Sequence, residues 1–242
     1  QTIRGTGRWF QAGPVTFQPS EVAKLSLIIF ISLIWSLHSI NKLQAFLLSL
    51  FVTGFVAVLV VIQPDLSTAV IILFVWLVMS FLSGASFYYF LALFFVSLFS
   101  MPVFWQFLAP YQKERIFSFL DPSKDPLGSG YNVLQAMIAV SSGKFFGRGL
   151  GRGPQSQLRF LPEQSTDFIF ASLAEEWGLL GSVILLFLFF LMLVRVFRTG
   201  YTAKTKFGAL ISIGVFSMIF VQVIINVGMN IGLLPVTGIP LP

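Results

Sequence analysis

Residues 45–82 read AFLLSLFVTGFVAVLVVIQPDLSTAVIILFVWLVMSFL. The run is almost continuously apolar. As one helix rising ~1.5 Å per residue it would be nearly twice as long as the ~30 Å hydrocarbon core of a bilayer. Gln63-Pro64-Asp65 is the only break in it. Proline ends one helix and Asp65 is placed to cap the next. Two spans therefore follow one another, 45–62 and 66–82, joined by a short turn.

The same pattern continues on both sides. Glu21 to Leu37 is an apolar stretch of about the minimum spanning length, separated from the central run by the polar break His38 to Gln44. A fourth segment runs from Ser86 to Leu108, after the Ser83-Gly84-Ala85 turn; a fifth and sixth cover about 168–194 and 207–227. Composition agrees: of 242 residues, 56% are hydrophobic and 10% charged, with 29 Phe and a mean hydropathy of +0.89. No ordinary soluble core needs that much apolar sequence. The expected fold class is all-α, a polytopic helical membrane protein forming one transmembrane domain over 1–242. The absence of cysteine excludes a disulfide framework and thiolate metal sites. A net charge of +6 suits anionic headgroups, and beside this hydropathy it points to the lipid bilayer rather than nucleic acid.

The polar stretches organise the rest. Residues 1–20 read as a Gly/Pro-containing loop. Residues 109–166 form one long loop, with turns at Asp121-Pro122 and Asp125-Pro126 and a glycine-rich patch from Gly143 to Gly153. Within it, Tyr131 to Val140 is predicted as a short amphipathic helix lying on the membrane. Asn230 to Pro242 reads as an irregular, re-entrant end. Arg195, Arg198, Lys204 and Lys206 fall between segments five and six with no acid among them, so that loop is expected in the cytoplasm. By alternation, 1–20 and 109–166 face outward. A cytoplasmic N-terminus would then need an odd number of spans before Gln1, and the chain reads as an internal fragment.

LPEQSTDFIFASLAEEWGLLG, at 161–181, carries Asp167, Glu175 and Glu176 from polar loop into apolar helix. An acid at the edge of a membrane segment is costly and points to function by default. The ordinary reading of Asp167, in Ser165-Thr166-Asp167, is a helix N-cap; its setting between a basic loop and a membrane helix favours chemistry. Glu175 and Glu176 lie two turns further in, about 12 Å by helical rise. At least one should be paired or protonated, and structural support is their expected role. Glu21 and Lys24, three apart in FQPSEVAK, share a helix face. A local ion pair and the lining of a polar cavity stand level as readings. Asp65 is a cap unless its helices face a common pocket. Lys113, Arg115, Lys144, Arg148, Arg152 and Arg159 outnumber the acids of the long loop, and GRGLGRG at 147–153 is glycine-rich backbone of the sort that can hold phosphate oxygens. It follows no strand and contains no GK[ST], so it is neither a dinucleotide fingerprint nor a P-loop. His38, the single histidine, reads as a solvated loop residue.

Six strings in order carry a resemblance: Gly7-Arg8-Trp9, FQPSEVAK at 17–24, QPDLSTA at 63–69, LDPSKDPLGSGYNVLQA at 120–136, the 161–181 stretch, and NVGMNIGLLPVTGIPLP at 226–242. Together they resemble the SEDS family of bacterial cell-wall glycosyltransferases (RodA, FtsW, SpoVE), and QSQLRFLPE at 155–163 leans toward its RodA-like branch. The resemblance implies ten spans, three of them before Gln1 and one after Pro242. It implies polymerisation of lipid II in the bacterial cytoplasmic membrane, with the catalytic loop facing outward and a class B penicillin-binding protein as transpeptidase partner. The family's essential aspartate matches Asp167, and its Glu/Lys pair matches Glu21 and Lys24. Asp167 is then the general base of an inverting transfer, by analogy with inverting glycosidases. Arg148, Arg152, Arg159 or Lys24 would offset charge on the leaving diphosphate, with Arg8 and Asp65 as further substrate-binding candidates. A divalent cation (Mg2+ or Mn2+) would suit that work too, although no ligand spacing marks a site for it. Two other classes compete: a lipid II flippase, which should keep polar groups near the bilayer midplane, and a non-catalytic scaffold, in which Asp167 is only a cap.

Overall fold

The computed structural model describes residues 10–12, 15–37, 39–120, 129–157 and 166–242. In chain order they form a hairpin, β1 (Phe10–Ala12) and β2 (Val15–Phe17), then helices α1 (Pro19–Ser36), α2 (Lys42–Ile62), α3 (Leu66–Leu82), α4 (Phe87–Phe107), α5 (Pro110–Leu120), α6 (Ser129–Ser142), α7 (Pro154–Gln157), α8 (Ile169–Tyr201) and α9 (Lys206–Asn230). Among the described residues, α1, α2, α4, α8 and α9 are long and apolar enough to cross a membrane; α3, at 17 residues, is apolar but shorter. The chain is a polytopic helical membrane protein.

Three features depart from the sequence expectation. Part of the 1–20 loop is the antiparallel hairpin, in register Phe10↔Phe17; its β-branched and aromatic residues suit a strand. The 109–166 loop contains α5, whose PYQKERIFSFL sequence sets three consecutive charges, Lys113 to Arg115, ahead of an apolar end, as well as α6 around the expected 131–140 helix. The fifth span is not one continuous helix: Gly178, at φ 68 and ψ −163, breaks α8 into a short piece before it and a long piece after it.

The chain divides into two compact units, one made of residues up to Leu91 with Leu193–Val221, the other of Ala92–Met192 with Gln222–Pro242. In the first, α1 buries Ser20, Lys24, Leu27, Ile28, Ile31, Ile34 and Trp35, a three-four spacing that defines one inward face. Trp76 of α3 is buried against Phe46 of α2, ring centroids 5.3 Å apart, and its Nε1–H donates to Ser49 Oγ at 3.0 Å. Large apolar side chains such as Phe51, Phe55 and Ile62 stay exposed on α2. Lipid is as apolar as they are, so close packing and interhelical hydrogen bonds, about 0.6 kcal/mol each, hold such helices together rather than hydrophobic burial. In the second unit, Ala136 and Ala139 of α6 pack with Phe168 and Ala171 at the start of α8, and Val140 and Val236 close the cluster. Small residues on α6 let the start of α8 come close, and that start is where Asp167 stands.

Candidate active site

Asp167 lies in the turn at 166–168 that leads into α8. Its neighbour Phe168 is buried in the α6 cluster, which pins the turn from one side. Two amides of α9 pin it from the other. Asn226 and Asn230 are fully buried, and four residues apart they share a helix face. Asn226 Nδ2 donates to the Asp167 carbonyl at 3.0 Å and to the Ile239 carbonyl at 2.8 Å. Asn230 Nδ2 donates to the same Asp167 carbonyl at 3.1 Å and to the Asn226 carbonyl at 2.7 Å. Asn230 Oδ1 accepts from the Ala171 amide at 3.2 Å. That amide belongs to the first turn of α8, where no intrahelical acceptor is available. An asparagine from another helix thus performs a task usual for a local N-cap side chain.

The C-terminal segment runs past the Asp167 carboxylate. Gly238 has φ +76, and a Cβ built there would lie 3.4 Å from Asp167 Oδ2. Next to it, the Thr237 carbonyl accepts from Arg115 Nη1 at 3.4 Å, which brings a guanidinium of α5 to this segment. The half-buried acid therefore has its backbone fixed by two amides, a side-chain-free residue beside its carboxylate, and an arginine one residue further along.

Glu175 and Glu176 face the glycine-rich loop. The buried Glu175 carboxylate accepts from the Gln155 amide at 3.0 Å and from Ser142 Oγ at 3.5 Å, and Glu176 Oε1 accepts from the Gly151 amide at 3.1 Å. Main chain is exchanged as well. The Arg148 and Gly149 amides donate to the Glu175 and Glu176 carbonyls, both at 3.0 Å, while the Leu179 and Leu180 amides donate to the Lys144 and Phe145 carbonyls at 2.9 and 3.2 Å. The two rungs of the helical ladder lost at Gly178 are thus replaced through the loop. This corrects the expectation that the loop backbone holds phosphate: the amides of Arg148, Gly149 and Gly151 already serve the two glutamates. Any phosphate contact falls to side chains, of which Arg148 is exposed with Nε donating to Ser142 Oγ at 3.1 Å, and Arg152 is exposed.

In the first unit, Lys24 Nζ lies 2.9 Å from Glu21 Oε1; Lys24 is 4% exposed and Glu21 53%. The ammonium sits on the buried face of α1 and the carboxylate at its edge. Ser20, one turn earlier on that face, has a buried hydroxyl with no hydrogen-bond partner among the described residues. Asp65 is the N-cap of α3: Oδ1 accepts from the Thr68 amide at 3.1 Å, and Oδ2 from Thr68 Oγ1 at 2.8 Å and Gln18 Nε2 at 3.2 Å. Gln18 and Asp65 thereby tie the starts of α1 and α3 together, and the carboxylate serves the fold. Arg8, His38, Asp121, Asp125 and Arg159 lie outside the described residues. Among the described residues, no three His, Cys, Asp or Glu side chains gather as a metal-ligand cluster.

Sequence reasoning passed over Asn226, Asn230, Gly238 and the position of Arg115. The usable signal was three amides at four-residue spacing, Gln222, Asn226 and Asn230, in a largely apolar helix, since polar groups in a membrane helix must find internal partners.

A family model described as Cell cycle protein, covering FtsW, RodA and SpoVE, matches residues 1–242. The chain belongs to the FtsW/RodA/SpoVE family. It is 41% identical over 247 aligned residues to the peptidoglycan glycosyltransferase MrdB of Escherichia coli K12, covering 99% of this chain and 65% of that protein. Among solved structures it resembles a chain of a peptidoglycan synthase complex, described as coordinating polymerization and crosslinking, with a TM-score of 0.82 and 33% identity over 100% of this chain and 68% of that one. It also resembles an aspartate-to-alanine variant of the Thermus thermophilus rod shape determining protein RodA, with a TM-score of 0.67 and 28% identity over 100% of this chain and 63% of that one. The chain thus spans about two thirds of the length of the FtsW/RodA/SpoVE proteins it matches.

Proposed function

We propose that this protein polymerises lipid II into glycan strands as a peptidoglycan glycosyltransferase, with Asp167 as general base. The observation that carries the reading is the Asn226–Asp167–Asn230 arrangement, which fixes an acid at the start of a membrane helix while leaving its carboxylate only half-buried. A structural cap needs no such support from a neighbouring helix. The glycosyltransferase name of the E. coli relative supports the reaction class.

In the reaction, Asp167 takes the proton of the acceptor sugar's 4-hydroxyl. The freed oxygen attacks the anomeric carbon of the lipid-linked chain, and the bond from that carbon to the diphosphate breaks with inversion. The electron pair leaves on undecaprenyl diphosphate, already a weak base, so cations rather than an acid assist the departure. Arg115, Arg148, Arg152 and Arg159 are the arginines we assign to that work. Glu21 and Lys24 are separately assigned to substrate contact on the family resemblance. The protein would lie in the bacterial cytoplasmic membrane with its 109–166 segment outward, beside a class B penicillin-binding protein that crosslinks the product.

The test is glycan formation from labelled lipid II by the full-length protein with its transpeptidase, wild type against Asp167→Asn. Loss of a positioned base should cost roughly 10²–10⁴-fold. Equal polymer from a well-folded variant would reduce Asp167 to a cap. If neither makes polymer, movement of lipid II across vesicle membranes becomes the assay, because the transporter class then leads.

A further inference from the structure

A cavity of about 270 Å3 lies in the first unit, lined by Val78 and Leu82 of α3, Phe197, Gly200 and Tyr201 of α8, and Ser212, Ile213 and Phe216 of α9. Its lining is apolar apart from the Ser212 and Tyr201 hydroxyls, and the Ser212 hydroxyl is turned back onto the Gly208 carbonyl at 3.1 Å. No part of the reaction above uses it. Its volume is many times the ~30 Å3 share of one water in the liquid, room for part of an acyl chain.

Basic residues flank the lining residues in the chain. Of the lining residues, Leu82 ends α3 and Tyr201 ends α8, and the 202–205 connection leads from Tyr201 into the start of α9. Lys206 precedes Ile213 by seven residues, so the two lie on one stripe of α9, with the ammonium about 10 Å nearer the helix end. Lys42 Nζ lies beside Gly84, 3.7 Å from where a Cβ would stand, just past Leu82 at the end of α3. Arg195 and Arg198 are exposed in the last turns of α8 and Lys204 on the connection itself, and Lys42 and Lys206 are exposed too. The stretch from Arg195 to Lys206 holds no acid.

We infer that this cavity is a binding site for one acyl chain of an anionic phospholipid, whose phosphate is held by Lys206, Arg198 and Lys42. An apolar slot alone takes any lipid. Charge complementarity beside it selects the anionic one, since each basic side chain near such a surface adds about a fivefold gain in binding. In the orientation proposed above, the site opens to the cytoplasmic leaflet, and it stands whether or not Asp167 is the base.

The experiment places the full-length protein in phosphatidylcholine vesicles doped with photoactivatable phosphatidylglycerol or photoactivatable phosphatidylcholine, and maps the crosslinks. Phosphatidylglycerol should label the 197–201 and 212–216 segments about fivefold or more above phosphatidylcholine. Lys206→Gln with Arg198→Gln, both exposed and safe for folding, should bring phosphatidylglycerol down to the phosphatidylcholine level. Ser212→Trp, which fills the slot, should remove labelling by both lipids. Equal labelling of the wild type by the two lipids overturns the inference. So does labelling that the charge substitutions leave unchanged, or none at these segments, which would mean that protein covers the cavity.

Discussion

Asn230 holds Asp167 by its main chain: Asn230 Nδ2 is 3.1 Å from the Asp167 carbonyl, and Oδ1 of the same amide is 3.2 Å from the nitrogen of Ala171, four residues on. One buried side chain thus fixes both the turn and the first helical residues after it. Asn230→Ala leaves the Ala171 amide without its acceptor, at about 1–3 kcal/mol, while the Asp167 carbonyl keeps only Asn226 Nδ2. The expected result is a lower unfolding temperature together with a fall in polymer formation. Asn230→Asp keeps the acceptor but sets a buried carboxylate against the Asp167 and Asn226 carbonyls, and should fall no higher than Ala on both measures.

Gly238→Ala tests the close pass of the C-terminal segment. A left-handed residue with a side chain costs roughly 1–2 kcal/mol, and the new methyl would stand 3.4 Å from Asp167 Oδ2. Polymer formation should drop while thermal stability shifts only modestly. An unchanged turnover would show that the space beside the carboxylate is not used.

Glu21 and Lys24 should respond unequally. Removing Glu21's charge leaves the buried ammonium without its partner, whereas Lys24→Met removes the charge and keeps the volume. Because Glu21 is 53% exposed, water softens the loss, and Glu21→Gln should cost about 1–3 kcal/mol, below the range for a wholly buried pair. Lys24→Met should be near neutral in thermal unfolding, and adding it to Glu21→Gln should restore most of the stability. A Lys24→Met protein that is stable but makes no polymer would assign the ammonium to substrate.

The spans were readable because apolar runs have to be long, and Gln63-Pro64-Asp65 supplied both a stop and a cap, whereas Pro102 sits inside α4 without ending it. Asp167 was readable for a related reason, as an acid where membrane helix begins. The break at Gly178 was not. Its neighbours are apolar on both sides, and glycine is common within membrane helices, so nothing local separates a packing glycine from one at φ 68. Asn226 and Asn230 were hidden by their neutrality, since a charge in an apolar run attracts notice and an amide does not. The partners of Glu175 and Glu176 were beyond reach because they are main-chain amides, supplied by residues whose side chains say nothing about it.

Gly178→Ala follows from the same break. Its φ and ψ belong to a region open essentially to glycine alone, and a Cβ would overlap the Gly147 nitrogen and the Phe145 carbonyl. Loss of folded protein by fluorescence-detected size exclusion is expected, with Ser182→Ala, one turn on, as a tolerated control.

The exchange of hydrogen bonds across that break sets how the sequence can vary in length. Leu179 and Leu180 take their acceptors from Lys144 and Phe145, and an amide in the hydrocarbon region has no water to fall back on. One residue inserted or deleted between 143 and 149 would shift every partner out of step with the helix. A polar, glycine-rich segment that resembles an adaptable linker is therefore as fixed in length as a membrane span.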